Sequence, residues 1–294
     1  MNDRRLTLVA KGILRISVFS VFLGRAWQHL FWDAPYRTLF WDEELLQPLI
    51  ENIFNISWSK YVTAASTDLW IQNCVFYTGV LYLLGAISVL FYENYRSKVM
   101  KYIILFGGVN LVLLSFLLMK EKFYQFAQFF EHSIQFSLPF IFVYTFSERF
   151  RIKNLVFFVK ILIAIVFVSH GLYAIGYYPV PGNFVDMVMG ILPVSELFAK
   201  TFLSIAGFLD FLMAVYIFIP KTSRIALWYA FIWGTLTALA RVVSNFQFDF
   251  PWQSIHQEMY ETIYRFAHGL LPMFLLIVHR QNKLLERNRM QEAV

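Results

Sequence analysis

The sequence predicts an all-α protein of the membrane, a polytopic helical bundle with eight transmembrane helices. Of its 294 residues, 59% are hydrophobic and only 15% are charged, and the mean hydropathy of +0.56 is far from the soluble average. A bilayer core of about 30 Å needs about 20 apolar residues per helix, and eight stretches of the chain come close to this length. These spans are expected near residues 12–32, 69–91, 102–119, 127–147, 155–177, 197–219, 225–245 and 260–279.

Lysine and arginine residues cluster on one side of the eight predicted spans. Because basic residues in short loops are retained in the cytoplasm, both termini are expected to be cytoplasmic. The opposite loops are acidic, above all residues 33–68 between the first two spans. The net charge of +6 therefore reflects topology, and no nucleic-acid partner is indicated. The basic side includes Arg4, Arg5, Lys11, Arg96, Lys98, Lys101, Arg149, Arg151, Lys153, Lys221, Arg224, Arg280, Lys283, Arg287 and Arg289.

Two loops on the acidic side are predicted to carry short interfacial helices. In residues 33–68, apolar side chains recur at helical spacing beside acids, which is typical of an amphipathic helix lying on the outer interface. The second loop, residues 177–196, has a turn rich in proline and glycine before a short helical stretch. Simple linkers are the alternative interpretation of both segments.

Two parallel four-helix repeats, residues 1–150 and 151–294, are predicted from a polar stripe that occurs in both the fourth and the eighth span. A shift of 133 residues pairs Gln128 with Glu261, His132 with Arg265, Gln135 with His268 and Pro139 with Pro272. Weaker matches in the other spans pair Arg25 with His170, Gly79 with Gly207 and Gly108 with Gly234. Since each repeat holds an even number of spans, a pseudo-twofold axis along the membrane normal is expected.

Charged and polar side chains inside the predicted spans are the candidate site. An arginine or aspartate at the centre of a membrane helix costs about 3 kcal/mol, so such residues need partners or a function. The candidate ligand-binding residues are Arg25, His29, His132, Gln135, His170, Asp210, Arg241, Arg265 and His268. The candidate catalytic, proton-handling residues are Glu131, Glu261, His170 and His268, with His132 beside them. The arginines would hold an anion or a carbonyl oxygen.

The alternative is a polar network that only joins helices. In that interpretation Glu261 forms an ion pair with Arg265 on the same helix. Arg25 or Arg241 then forms an ion pair with Glu131 or Asp210 of another helix. Interhelical polar bonds in membranes contribute only about 0.6 kcal/mol on average, which favours a polar pocket that opens outward. The second stripe is ionic and the first is neutral, so the second half is expected to carry the chemistry.

Several kinds of chemistry are disfavoured by the sequence. The single cysteine, Cys74, excludes an internal disulfide and a CxxC redox pair. Four predicted spans carry a histidine, but the chain has no HxxxH or HExxH spacing, so no metal site is predicted and haem is disfavoured. Nothing resembles a nucleophile elbow or a phosphate-binding glycine loop.

Two stretches resemble known families. The run from Phe167 to Ala174, the turn after it and the match around Gly207 resemble the four-helix unit of DoxX-like membrane proteins over residues 155–280. Arg25, the Pro35-Tyr36-Arg37 run and the long acidic loop are similar to the opening of the HTTM group, which is related to vitamin K-dependent carboxylases. DoxX relatives include subunits associated with quinone-linked sulfur oxidation, and the carboxylase relatives use a reduced quinone. Both resemblances therefore imply quinone-type chemistry, with a quinone as one candidate cofactor.

The leading functional prediction is a DoxX-like protein of the bacterial inner membrane that binds a lipophilic or quinone-like molecule in an outer-leaflet pocket, as a redox-associated subunit. Aromatic residues would form the pocket wall, namely Trp27, Trp32, Phe129, Tyr173, Trp233 and Tyr264. One alternative is a small-solute or ion transporter, for which the mid-depth Asp210 is the cue. The other is a non-catalytic anchor for membrane or periplasmic protein partners, bound through the outer helices or the basic tail from Lys283 to Arg289.

Overall fold

A computed structural model describes the backbone of residues 6–292 and the side chains of residues 6–281. All regular secondary structure in this part of the chain is α-helical. The basic tail from Lys283 to Arg289 and the amino-terminal Arg4 and Arg5 fall outside the described side chains. The helices are α1 (Leu8–Phe31), α2 (Arg37–Phe40), α3 (Glu43–Phe54), α4 (Trp58–Thr63), α5 (Ala65–Tyr95), α6 (Lys98–Glu121), α7 (Phe126–Phe130), α8 (Ser133–Tyr144), α9 (Ile152–Ala174), α10 (Gly182–Ile191), α11 (Glu196–Tyr216), α12 (Ser223–Ser244), α13 (Pro251–Arg265) and α14 (Ala267–Glu292).

Six helical runs within the described residues are long and apolar enough to cross a membrane. They are α5, α6, α9, α11, α12 and the continuous run Pro251–Gln281 that α13 and α14 form together. The predicted all-α class is confirmed for the described residues, and the six apolar helices are consistent with a multi-pass integral membrane protein. Six of the eight predicted spans have a counterpart of this kind.

Helix α1, the first predicted span, has the length but lacks the apolar composition of a membrane span. Its 24 residues extend about 36 Å, and they include Lys11, Arg15 and Arg25. The helix lies at the centre of the bundle and packs against α5, α8, α13 and α14. Because four neighbouring helices cover most of it, α1 does not need an apolar surface on every side.

The fourth predicted span is interrupted at Glu131 and His132, between α7 and α8. The backbone N–H of His132 donates to the carbonyl of Phe129, while the imidazole Nδ1 of His132 lies 2.9 Å from the carbonyl oxygen of Gln128. The side chain thus takes the acceptor that a continuous helix would give to the backbone. Helix α8 alone, with 12 residues, extends only about 18 Å.

Short helices cover one end of the bundle, in both segments where the sequence predicts interfacial helices. The side chain of Asp42 accepts a hydrogen bond from the backbone of Leu45 and caps α3. The carboxylate of Asp42 also forms an ion pair with Lys120 at the end of α6. Helix α10 packs across α11 and α12 and closes the end of the space between them.

Close helix contacts in the second half depend on glycines. A Cβ atom built on Gly171 of α9 would lie 2.9 Å from the carbonyl oxygen of Gly207 of α11. A Cβ atom on Gly234 of α12 would lie 2.8 Å from the carbonyl oxygen of His268 of α14. Pro272 lacks the N–H that would otherwise bond to this carbonyl, so Gly234 packs against a carbonyl that has lost its usual helical donor. These contacts fix α9, α11, α12 and α14 around a common space.

Candidate functional site

A cavity of about 420 Å³ lies between α9, α10, α11, α12 and α14. Its wall is mainly aliphatic and aromatic, with Phe184 from α10, Phe202 from α11 and Trp233 from α12. The α12 residues that line it run from Trp233 to Val243, so the cavity extends about 15 Å along this helix. Leu236 and Val243 line the cavity and are also 52% and 58% exposed, so the cavity reaches the outer surface of the bundle.

Two histidines and two arginines contribute polar groups to the cavity wall. The rings of His170 and His268 lie 5.7 Å apart, centroid to centroid, at an angle of 65°. His268 is only 4% exposed, and its Nε2 atom has no hydrogen-bond partner among the described residues. Arg241 and Arg265 line the same cavity. A buried polar atom without a partner is costly, so this part of the cavity is suited to a ligand that carries oxygen atoms.

The arginines of the cavity are held by carboxylates that do not line it. Nη1 of Arg241 lies 2.6 Å from Oε2 of Glu261 on α13. Nη2 of Arg265 lies 3.6 Å from Oε1 of Glu131, at the break between α7 and α8. Each guanidinium therefore has an acid beside it, while the arginine side chain forms part of the cavity wall.

Asp210 of α11 is the one acidic side chain that lines the cavity among the described residues. The hydroxyl of Tyr229 on α12 donates to Oδ1 of Asp210 over 2.8 Å. Asp210 is only 3% exposed, and this hydrogen bond compensates part of the cost of its burial. Tyr229 was not among the candidates from the sequence. A buried acid needs a donor, and this is the signal that could have pointed to a tyrosine on the neighbouring helix.

Glu131 lies behind the cavity and contacts two of the residues that line it. Besides Arg265, its carboxylate faces Nδ1 of His170 at 3.8 Å and Nδ1 of His132 at 3.6 Å. The amide of Gln128 donates to Oε1 of Glu131 over 3.0 Å. The carboxylate is therefore surrounded by one permanent cation, two imidazoles and an amide donor.

A second buried polar group lies next to this one, around Arg25 of α1. Its Nε and Nη2 atoms donate to Oε1 of Gln135 over 3.2 and 2.7 Å, and Nη1 donates to Gln28. The guanidinium carbon stacks 3.8 Å from the centre of the Tyr264 ring. The Nε2 atom of Gln135 has no hydrogen-bond partner among the described residues.

The predicted site residues thus divide into three places. His170, Asp210, Arg241, Arg265 and His268 line the cavity. Glu131, His132, Gln135, Arg25 and Glu261 lie behind it and contact one another or a residue that lines it. His29 lies apart, because its ring packs against the rings of Tyr36 and Tyr82, with centroids 5.8 and 5.0 Å away. Glu261 pairs with Arg241 of the neighbouring helix, in place of the pair with Arg265 that the alternative interpretation expected.

The predicted aromatic wall is also divided. Trp233 lines the cavity, whereas Tyr264 stacks on Arg25 and the hydroxyl of Tyr173 donates to Gln125. Trp27 and Trp32 pack around His256. The aromatic wall residues that the sequence did not single out are Phe167, Phe184 and Phe202, since aromatic side chains are too frequent in this chain to select individual ones.

The donor set favours a lipophilic organic ligand. Within the described residues, no group of three or more His, Cys, Asp or Glu side chains could hold a metal ion. The cavity combines a long apolar wall with imidazole and guanidinium groups, the usual composition of a small-molecule site. A quinone fits this set, because its ring and tail are apolar and its carbonyl oxygens accept hydrogen bonds.

Fold and cavity together define a helical bundle whose long apolar helices are consistent with a membrane protein and which holds a mainly apolar cavity. Comparisons with protein-family models, with curated proteins and with solved structures give no match to this chain. The resemblance to DoxX-like and HTTM proteins therefore stays a prediction.

Proposed function

We propose that this protein is a DoxX-like integral protein of the bacterial inner membrane that binds a quinone-like molecule and serves as a redox-associated subunit. Both termini are cytoplasmic in this proposal, and the cavity lies in the outer leaflet. Eight helices cross the membrane as two parallel repeats, residues 1–150 and 151–294, with α1 and the α7–α8 pair as the two spans of unusual composition.

Equivalent side-chain pairs support the repeat. Arg25 contacts Gln135 in the first half, and His170 contacts His268 in the second. These are the residues that the sequence alignment of the halves pairs with each other. The shift of 133 residues also pairs Glu131 with Tyr264. Glu131 faces His170, and Tyr264 stacks on Arg25, which is the residue that the alignment pairs with His170.

The glycine contacts give the same correspondence. A Cβ atom on Gly79 would meet the side chain of His29, and a Cβ atom on Gly207 would meet that of Ala174, each at 2.9 Å. The shift of 145 residues that pairs Arg25 with His170 also pairs His29 with Ala174. The first and second helices of each proposed repeat thus cross at matching residues.

The observation that carries the proposed binding is the unpartnered Nε2 atom of His268 in the wall of an apolar cavity. An imidazole can accept from a hydroxyl or donate to a carbonyl, depending on its tautomer, so it suits both a quinol and a quinone. Arg265 and Arg241 favour oxygen atoms that carry negative charge. The apolar wall accommodates the ring and the tail, and the opening beside Leu236 lets a lipophilic ligand enter from the bilayer.

The test is direct binding of decylubiquinone to the purified protein in lipid nanodiscs. Quinones quench tryptophan fluorescence, and Trp233 lines the cavity, so quenching reports occupancy. We expect saturable binding that weakens about tenfold in His268→Ala, because one lost hydrogen bond is worth about 1.4 kcal/mol. His279→Ala is the matched control, since His279 lies on the same helix and outside the cavity wall. Absence of saturable binding, or equal affinity in both variants, would overturn the proposal.

Two alternatives have less support. Transport requires a polar route that continues along the bundle past Asp210. On α11, the buried side chains between Asp210 and Tyr216 are Met213 and Ala214, and both are apolar. Leu227 and Ala226 on α12 are also apolar and buried at this level. The anchor alternative rests in part on the basic tail, whose side chains lie outside the described residues.

A further inference from the structure

Glu131 is a buried acid from the first half that contacts the cavity of the second half without lining it. It is 5% exposed and lies at the break between α7 and α8. The guanidinium of Arg265 is shared, since it faces the carboxylate of Glu131 on one side and lines the cavity on the other. His170 also lies between Glu131 and the cavity, because its Nδ1 atom faces the carboxylate and its side chain lines the cavity.

An anionic ligand head in the cavity would compete with Glu131 for the guanidinium of Arg265. A negative oxygen bound next to Arg265 would share that guanidinium with the carboxylate of Glu131. Two carboxylate-like charges on one partner repel each other, and protonation of one relieves the repulsion. Among the described side chains, Glu131 is the acid that faces Arg265, so its protonation would relieve this repulsion.

A row of polar side chains leads from Glu131 toward the outside of the bundle. Gln128 donates to Glu131 over 3.0 Å. The hydroxyl of Tyr173 lies 3.4 Å from Oε1 of Gln128 and donates to Oε1 of Gln125 over 2.9 Å. Gln125 is half-buried and lies between Tyr124 and Phe126, which are 52% and 64% exposed. Polar side chains therefore lie between the carboxylate of Glu131 and the end of the bundle at which α7 begins.

We propose that Glu131 is a positioning residue that couples binding of an anionic, quinone-like ligand to uptake of one proton from the outer side. The proton is added to the carboxylate of Glu131, no bond of the ligand breaks, and the entering negative charge is compensated. The proposal rests on the proposed function of the cavity. Besides Arg265, the groups that face Glu131 are His132 from α8, His170 and Tyr173 from α9, and Gln128 from α7.

The test compares two probes of equal tail length, a 3-alkyl-2-hydroxy-1,4-naphthoquinone that is ionised at neutral pH and its neutral 2-methyl counterpart. Isothermal titration calorimetry in buffers of different ionisation enthalpy counts the protons exchanged on binding. We expect uptake approaching one proton per anionic probe and none for the neutral probe. In Glu131→Gln the uptake should vanish while the affinity for the anionic probe is kept or increased. Glu93→Gln, which removes an acid paired with Lys11 on the other side of the bundle, should retain the uptake.

The wild-type protein alone also tests the proposal, through the affinity measured against pH. Uptake of one proton lowers the affinity for the anionic probe up to tenfold for each unit of rising pH, while the affinity for the neutral probe stays constant. Binding of the anionic probe without proton uptake would overturn the proposal and leave the cavity function intact. Uptake that persists in Glu131→Gln would do the same, because a histidine would then be the acceptor. If neither probe binds, the proposed function fails, and this proposal fails with it.

Discussion

The ion pair between Arg241 and Glu261 is expected to stabilise the fold more than any exposed pair of the same type. The two side chains are 10% and 24% exposed, and Nη1 and Oε2 lie 2.6 Å apart. Two unit charges with centres about 4 Å apart interact by about 4 kcal/mol at the effective dielectric constant of partly buried sites. Removing one partner leaves the other charge without compensation, so Glu261→Gln should cost about 2–4 kcal/mol of unfolding free energy.

A double-mutant cycle isolates this pair. The free energy of unfolding would be measured in mixed micelles for Arg241→Met, Glu261→Gln and the double variant, and the coupling energy taken from the difference. The matched control is the cycle at Lys200 and Glu196, an ion pair whose side chains are 53% and 63% exposed. We expect clear coupling for the first pair and little for the control. Equal coupling in both cycles would refute the argument that burial gives the first pair its strength.

Two further predictions concern packing and pH. Gly234→Ala places a Cβ atom 2.8 Å from the backbone carbonyl oxygen of His268, so it should lower the free energy of unfolding by about 1–3 kcal/mol. Gly12→Ala is the control, because no heavy atom lies within 4 Å of its added Cβ atom and the protein should not be destabilised. Equal unfolding temperatures of the two variants in detergent would contradict this prediction. The ion pair with Lys120 holds the pKa of Asp42 below its usual value, so its contribution is present above about pH 4 and lost as the pH falls through the lower folded-state pKa. The unfolding temperature of Asp42→Asn should therefore fall less on acidification than that of the wild type, and parallel curves would exclude this role.

The fold could be predicted where composition decides it. Long apolar runs give the six helices that can cross a membrane, and the amphipathic pattern of residues 33–68 gives the short helices outside them. Helix α1 departs from this pattern because its polar side chains are satisfied by α8 and α13, which a hydropathy window does not include. The break at Glu131 and His132 is not recorded by the periodicity of the fourth predicted span.

The sequence predicts which residues belong to the candidate site, but not which of them contact each other. Charges inside apolar helices are costly wherever they point, which is why His170, Asp210 and Arg265 could be selected from the sequence. Their partners depend on how the helices are rotated. Spacing along one helix favours Glu261 with Arg265, yet α12 packs against α13 and brings Arg241 to Glu261.

The proposed repeat also explains why the second half has the cavity. In the alignment of the halves, Gly107 stands where the second half has Trp233. A Cβ atom on Gly107 would lie 2.7 Å from the ring of Phe22, and one on Gly85 would lie 3.2 Å from it, so this ring occupies the space beside both glycines. Trp233 instead packs against Phe202 at the edge of an open space. In the proposed function, the first half then supports the second half, which holds the cavity. Loss of Arg265 or His268 should then reduce binding more than loss of Gln128.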